Sequence, residues 1–217
     1  MTMDRKPVDW SLYLVTDRGL ARGRPLAQVV EAAIRGGVTV VQYRDKQGCT
    51  GEMIREAGDI LEVCRSMGAT FLVNDRLDVA LAVGADGLHV GQQDLPPALA
   101  RSLLGPEAIL GVSAGSVPEA REAEAAGADY LGASPVFATP TKTDAGPALG
   151  LQGLSEMVAA TSIPVVAIGG IHAANARPVI EAGAAGIAVV SAIMAADDVE
   201  GAARQLRGVV DRARRRR

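Results

Sequence analysis

Short runs of Val, Ile, Leu and Tyr recur along the chain, each bounded by turn-forming residues. They predict eight buried strands, at 11–17, 38–44, 70–74, 87–91, 109–113, 130–134, 164–169 and 186–191. The intervening segments carry apolar residues at helical spacing, with helix starts expected near Pro25, Thr50, Asp75, Pro96, Ser116, Leu149, His172 and Asp197. Pro25, Pro96 and Pro118 suit first-turn positions, where a missing N–H costs little. Gly37, Gly68, Gly84, Gly127 and Gly183 stand where a helix must stop and turn into the next strand.

A strand, loop, helix and glycine unit read eight times predicts an α/β fold, a single-domain (β/α)8 TIM barrel over 1–217. The segments 1–10 and 212–217 are expected to be peripheral tails. An open doubly wound sheet is the alternative. It is disfavoured because Leu14-Val15-Thr16-Asp17-Arg18 stands after the first strand in place of a glycine-rich dinucleotide turn.

Composition narrows the function. The chain is 48% hydrophobic with 25 glycines and 3% aromatics, a profile of helices packed on buried parallel strands. A net charge of −3 argues against a nucleic-acid partner, which needs a basic face. Cys49 and Cys64 are not spaced as a redox or metal pair and are read as free thiols. No run approaches the ~20 apolar residues of a membrane span, and the first ten residues carry four charges instead of a signal sequence. A cytoplasmic enzyme without a membrane partner is expected; a homo-oligomer stays open. The arginines at 214–217 are read as solvated charges complementing a helix C-terminus.

In such barrels chemistry collects at the carboxyl ends of the strands, and there the polar residues gather. Strand two ends in Gln42-Tyr43-Arg44-Asp45-Lys46, where alternation turns Gln42, Arg44 and Lys46 to one face; an Arg44–Asp45 pair in a charged loop is the competing reading. Asp75 and Asp94, beyond strands three and four, suit one Mg2+, which takes a few carboxylates together with phosphate oxygens. Helix capping explains each of them singly as well. Ser113 closes strand five, and Thr139, Thr141 and Lys142 lie in a threonine-rich loop, 138–146, expected to close over a bound phosphate. Gly169-Gly170 and Val190-Ser191 follow strands seven and eight, the recurrent phosphate site of barrels. His89, inside strand four, is read as a hydrogen-bonded core residue without a catalytic role.

With these residues in view, the chain resembles the thiamine-phosphate synthase family from Tyr13-Leu14-Val15-Thr16-Asp17 through Ser191. The matching motifs are Val41-Gln42-Tyr43-Arg44-Asp45-Lys46, Leu72-Val73-Asn74-Asp75-Arg76, Gly84 through Gln92, Pro140-Thr141-Lys142 and Ala167 through Ile171. The resemblance implies condensation of 4-amino-2-methyl-5-hydroxymethylpyrimidine diphosphate with a thiazole phosphate, giving thiamine phosphate and diphosphate with Mg2+ as cofactor. It implies that Gln42, Arg44, Lys46, Asn74 and Lys142 contact the pyrimidine diphosphate, that Asp75 and Asp94 hold the metal, and that Ser113 sits by the reacting centre. Thr139, Thr141, Gly170, Val190 and Ser191 would bind the thiazole phosphate, and Arg44, Lys46, Ser113 and Lys142 would carry catalysis. Asp45 departs from the family, which more often has Glu there.

Three other readings compete for these residues. A thiazole tautomerase of the same fold would want an acid/base side chain, commonly His, in place of Ser113 and would not need Asp75 and Asp94. A non-catalytic phosphate sensor would not need the cations that face a leaving group. A Schiff-base aldolase would need a lysine within a strand, and the eight strands contain none.

Overall fold

A computed structural model describes residues 7–139 and 147–215. Eight parallel strands close into a barrel in the order β1 to β8: Leu12–Val15, Val40–Tyr43, Thr70–Asn74, Gly87–Val90, Ile109–Ala114, Tyr130–Ala133, Val165–Ile168 and Gly186–Val189. Closure pairs β1 with β8, so no strand edge is left open. Among the described residues, helices α1 to α9 span Leu26–Arg35, Thr50–Met67, Leu77–Val83, Pro97–Leu104, Val117–Ala125, Gly150–Ala160, Ala176–Glu181, Ser191–Met194 and Val199–Arg214.

The expected (β/α)8 architecture is the observed one, and each strand lies within or close to its expected run. The helices form because their apolar residues fall on one stripe. In α1, Leu26, Val29, Val30 and Ala33 are the buried positions, and in α9 Val199, Ala203, Leu206, Val210 and Ala213. Left-handed glycines end α2 at Gly68 and α3 at Gly84, angles that would strain any side chain with a Cβ.

Strand alternation sorts the side chains into two cores. Leu12, Leu14, Val41, Phe71, Leu88, Leu110, Leu131 and Ile187 face the helices, whereas Tyr13, Val40, Leu72, Ile109, Tyr130, Val166 and Ala188 fill the barrel. The inner core is built around glycines. A Cβ at Gly87 would fall 2.0 Å from the Ile109 carbonyl oxygen, and one at Gly111 would fall 2.2 Å from the Tyr130 ring.

Two differences from the sequence expectation matter. First, β8 stops at Val189 and the chain turns at once into the short α8, whereas a strand to 191 was expected. The segment after β7 likewise stays non-helical until Ala176, because Asn175 Oδ1 accepts the His172 N–H at 2.8 Å and Asn175 Nδ2 donates to the Gly170 carbonyl at 2.9 Å. Second, parts of the two tails are packed. Trp10 is 8% exposed and packs on Tyr130 with ring centroids 4.2 Å apart and planes tilted by 32°, at the end of the barrel opposite the carboxyl ends of the strands. Ala213 is buried, and the Arg214 guanidinium, though still exposed, donates to Ser11 Oγ and the Ala185 carbonyl. No described helix is long and apolar enough to cross a membrane.

Candidate active site

A cavity of about 790 Å3 opens at the carboxyl ends of the strands. Its wall takes in Gln42, Arg44, Lys46, Asn74, Asp75 and Asp94 from the β2, β3 and β4 side. Ser113, Thr139, Gly170, Val190 and Ser191 line it from β5 to β8. Every site residue named from the sequence is therefore gathered around one space, apart from Thr141 and Lys142, which lie outside the described residues, as do positions 140–146 of the expected closing loop.

On the β2 side, alternation continues past the end of the strand, so that Gln42, Arg44 and Lys46 all reach the cavity while Tyr43 and Asp45 turn away from it. Asp45 does not pair with Arg44. Its Oδ1 accepts the Gln47 and Gly48 N–H groups at 2.8 and 3.0 Å, and its Oδ2 accepts from Arg18 at 3.1 Å. Burial alone would raise the Asp45 carboxyl, but these donors outweigh it and hold the group below the ordinary carboxylate range. Asp45 thus shapes the turn that presents Lys46. Arg44 stands 3.8 Å from Asp17, with its backbone N–H donating to Thr16 Oγ1 at 3.0 Å.

Asp75 has a left-handed backbone, with φ of 59°, a conformation that costs a non-glycine residue energy and persists where the surroundings hold it in place. It does not cap α3, whose N-cap position is Arg76, and Asp94 does not cap α4, which begins after Pro96. Asp94 Oδ2 instead accepts the Gly91 N–H at 2.8 Å, fixing its own loop. Burial and the adjacent Asp94 carboxyl push the Asp75 carboxyl above its usual range, against the pull of Lys46, whose Nζ lies 2.7 Å from Asp75 Oδ2. Two carboxyls crowded in this way suit a hard cation, because a positive charge between them relieves the repulsion. Among the described residues no group of three or more His, Cys, Asp or Glu forms a cage. Two carboxyls are few for a metal cage, and of the common hard cations Mg2+ is the one that needs few protein oxygens and completes its shell with phosphate and water.

Across the cavity the backbone makes the surface. Gly169 and Gly170 have φ of 103° and 64°. A Cβ at Gly170 would fall 2.7 Å from the Ala138 carbonyl oxygen, so only glycine lets these two loops meet. Val190 and Ser191 lie at the start of α8, next to that turn. The helix was not foreseen, since a four-residue element leaves too short an apolar pattern to read.

The floor holds the residues that sequence reasoning missed. Tyr13, His89 and Tyr130 all line the cavity from below. Gln42 Nε2 donates to Tyr13 Oη at 2.7 Å, Tyr13 and Tyr130 hydroxyls meet at 2.8 Å, Tyr130 Oη lies 2.7 Å from His89 Nδ1, and His89 Nε2 lies 2.9 Å from Ser113 Oγ. His89 is a hydrogen-bonded buried residue as expected, but it faces the site. The pairing of Asn74 with His89 in the β3–β4 register puts both on the inner face, a fact available only once the register is known.

Comparison with known proteins bears on this geometry. A family model described as thiamine monophosphate synthase matches residues 12–193. The chain is 59% identical over 203 residues to a thiamine-phosphate synthase of Chloroflexus aurantiacus, covering 94% of each chain. It is 55% identical over 205 residues to one of Moorella thermoacetica, covering 94% of this chain and 98% of the other. A solved thiamine phosphate pyrophosphorylase from Pyrococcus furiosus superposes with a TM-score of 0.87 at 44% identity, over 94% of this chain and 97% of that one.

Proposed function

Because the chain belongs to the thiamine monophosphate synthase family, we propose that it joins 4-amino-2-methyl-5-hydroxymethylpyrimidine diphosphate to a thiazole phosphate, releasing diphosphate and forming thiamine phosphate. The observation that carries this reading is one cavity lined by two cations, Arg44 and Lys46, beside the crowded carboxyls of Asp75 and Asp94, with the Gly169–Gly170 turn opposite. A diphosphate leaving group and a second phosphate need these two different surfaces.

In the reaction the bond between the pyrimidine methylene carbon and the diphosphate oxygen breaks, and a bond from the thiazole nitrogen to that carbon forms. The electron pair of the broken bond leaves with diphosphate, and no proton transfer is needed to balance the step. The aminopyrimidine ring shares the positive charge on the methylene as it develops, so the protein supplies no nucleophile. What it supplies is charge facing the departing diphosphate, from Arg44, Lys46 and, by the family resemblance, Lys142. Asp75 and Asp94 would hold Mg2+, which offers further neutralisation of the diphosphate oxygens. Gln42, Asn74 and Ser113 would orient the pyrimidine; Thr139, Thr141, Gly170, Val190 and Ser191 would seat the thiazole phosphate. The small-molecule substrates suit a cytoplasmic enzyme of thiamine biosynthesis.

His89 beside Ser113 favours a second reading, proton transfer on a thiazole phosphate, because it sets an imidazole near the cavity floor. Both ring nitrogens are already engaged, and that chemistry has no use for the Asp75 and Asp94 pair. Diphosphate release, measured with each of Mg2+, pyrimidine diphosphate and thiazole phosphate omitted in turn, separates the two. Release that requires all three, with thiamine phosphate formed in equal amount, supports the synthase. No release by folded protein refutes it.

A further inference from the structure

Four hydrogen bonds connect Gln42 to Ser113 through the barrel interior, and each hydroxyl along the way has a single hydrogen to give. With one hydrogen on the His89 ring, the chain can therefore run in only two senses. If the Gln42 amide turns its NH2 to Tyr13, then Tyr13 donates to Tyr130, Tyr130 donates to His89 Nδ1, and His89 carries its hydrogen on Nε2 and donates it to Ser113. The Ser113 hydrogen is then free for a ligand in the cavity. If the amide turns its oxygen to Tyr13, every bond reverses, and the Ser113 hydrogen is consumed by His89. The amide lies with Nε2 against Tyr13 Oη at 2.7 Å, the first sense.

We propose that Tyr13, Tyr130 and His89 are positioning residues that lock the Gln42 amide oxygen and the Ser113 hydroxyl into a fixed acceptor–donor pair, and so select an aminopyrimidine over its oxo counterpart. This rests on the pyrimidine substrate proposed above. An aminopyrimidine edge offers an exocyclic N–H donor and a ring-nitrogen acceptor, which complement that pair. The oxo form offers a carbonyl acceptor beside a ring N–H donor, and matching it requires reversing the whole relay. Reversal is costly because the parts are held rigidly. Tyr13 and Tyr130 are 2% and 1% exposed, Gln42 is 5% exposed, and no buried side-chain polar atom among the described residues lacks a partner. Gly111 and Gly132 keep the relay's space open, since Cβ atoms there would fall 2.2 Å from the Tyr130 ring and 3.1 Å from His89 Cε1.

The first test needs no substrate. Long-range 1H–15N spectra of the full-length protein at neutral pH read the two histidines, with His172→Gln assigning them. Hydrogen on His89 Nε2 is expected; hydrogen on Nδ1, or on both nitrogens, overturns the proposal. The second test compares wild type with Tyr130→Phe, which keeps the ring and removes the hydroxyl, and with Tyr13→Phe should the first variant fold poorly. The KM for the pyrimidine diphosphate should rise roughly tenfold, as loss of a buried hydrogen-bond alignment predicts, with the thiazole phosphate KM unchanged. Discrimination against the 4-oxo pyrimidine diphosphate, measured as a competitive inhibitor, should narrow by a similar factor. Equal discrimination in wild type and variant refutes the relay. Absence of wild-type turnover refutes the functional reading instead, and the spectrum still decides the tautomer.

Discussion

Replacing Gly111 by Ala tests whether the barrel floor is as tightly specified as its geometry implies. An added Cβ would fall 2.2 Å from Tyr130 Cε1 and Cζ and 2.4 Å from its Oη. Ordinary carbon contacts lie at about 3.5–4.0 Å, so the ring must retreat by more than about 1 Å. It has little room to do so, with the Trp10 ring packed against it at 4.2 Å and its hydroxyl held between Tyr13 and His89. Gly111 has no left-handed backbone angle, so the effect is steric alone. Glycine to alanine would otherwise stabilise the fold by about 0.4–1 kcal/mol through the unfolded chain, whereas overpacking a core costs about 1–3 kcal/mol. A net loss of about 1–2 kcal/mol is expected, which for a chain of this size lowers Tm by roughly 2–8 °C. Calorimetry of wild type, Gly111→Ala, Tyr130→Leu and the double variant gives the coupling directly. The smaller side chain at 130 should absorb the added methyl, leaving a favourable interaction of about 1 kcal/mol or more. A Tm for Gly111→Ala equal to or above wild type refutes the argument.

Other outcomes follow from the site and its surroundings. Asp75→Ala and Asp94→Ala should each abolish Mg2+-dependent diphosphate release while leaving the circular dichroism spectrum unchanged; near-normal rates in either variant remove that residue from the metal site. Asp45→Asn keeps an oxygen for Gln47 and Gly48 but loses the charge facing Arg18. Because the folded-state carboxyl lies below its unfolded value of 3.8, its stabilisation is present above that pH and lost as pH falls through the lowered folded value. The stability gap between wild type and Asp45→Asn in urea titrations should therefore close on acidification below about pH 4, and a pH-independent gap would contradict this. Cys64 is fully buried and its thiol is pushed up to about 12 by burial and by Asp86, while Cys49 is exposed. A thiol reagent should label one cysteine in the native protein and two after denaturation; two fast equivalents in the native state would show that α2 opens.

The barrel was legible in the chain because its cause is local. A buried parallel strand must be apolar on both faces, a helix outside it must be apolar on one, and a glycine must end the helix where the backbone turns left-handed, as Gly68 and Gly84 do. The ends of the strands were legible for the same reason, since Gln42, Asn74 and Ser113 are polar residues that no buried core would otherwise carry there. Tertiary structure decided which of these residues meet. Tyr13 and Tyr130 are 117 positions apart and touch only because closure and register bring β1 and β6 to opposite sides of one narrow interior. Nothing near His89 in sequence distinguishes a core histidine from one that faces Ser113, and the crowding of Asp75 and Asp94, which sets them apart from two independent helix caps, exists only after the β3 and β4 loops converge. The pattern of burial belongs to short stretches of sequence, whereas hydrogen-bond direction and charge crowding belong to pairs of distant residues, and only the folded barrel creates those pairs.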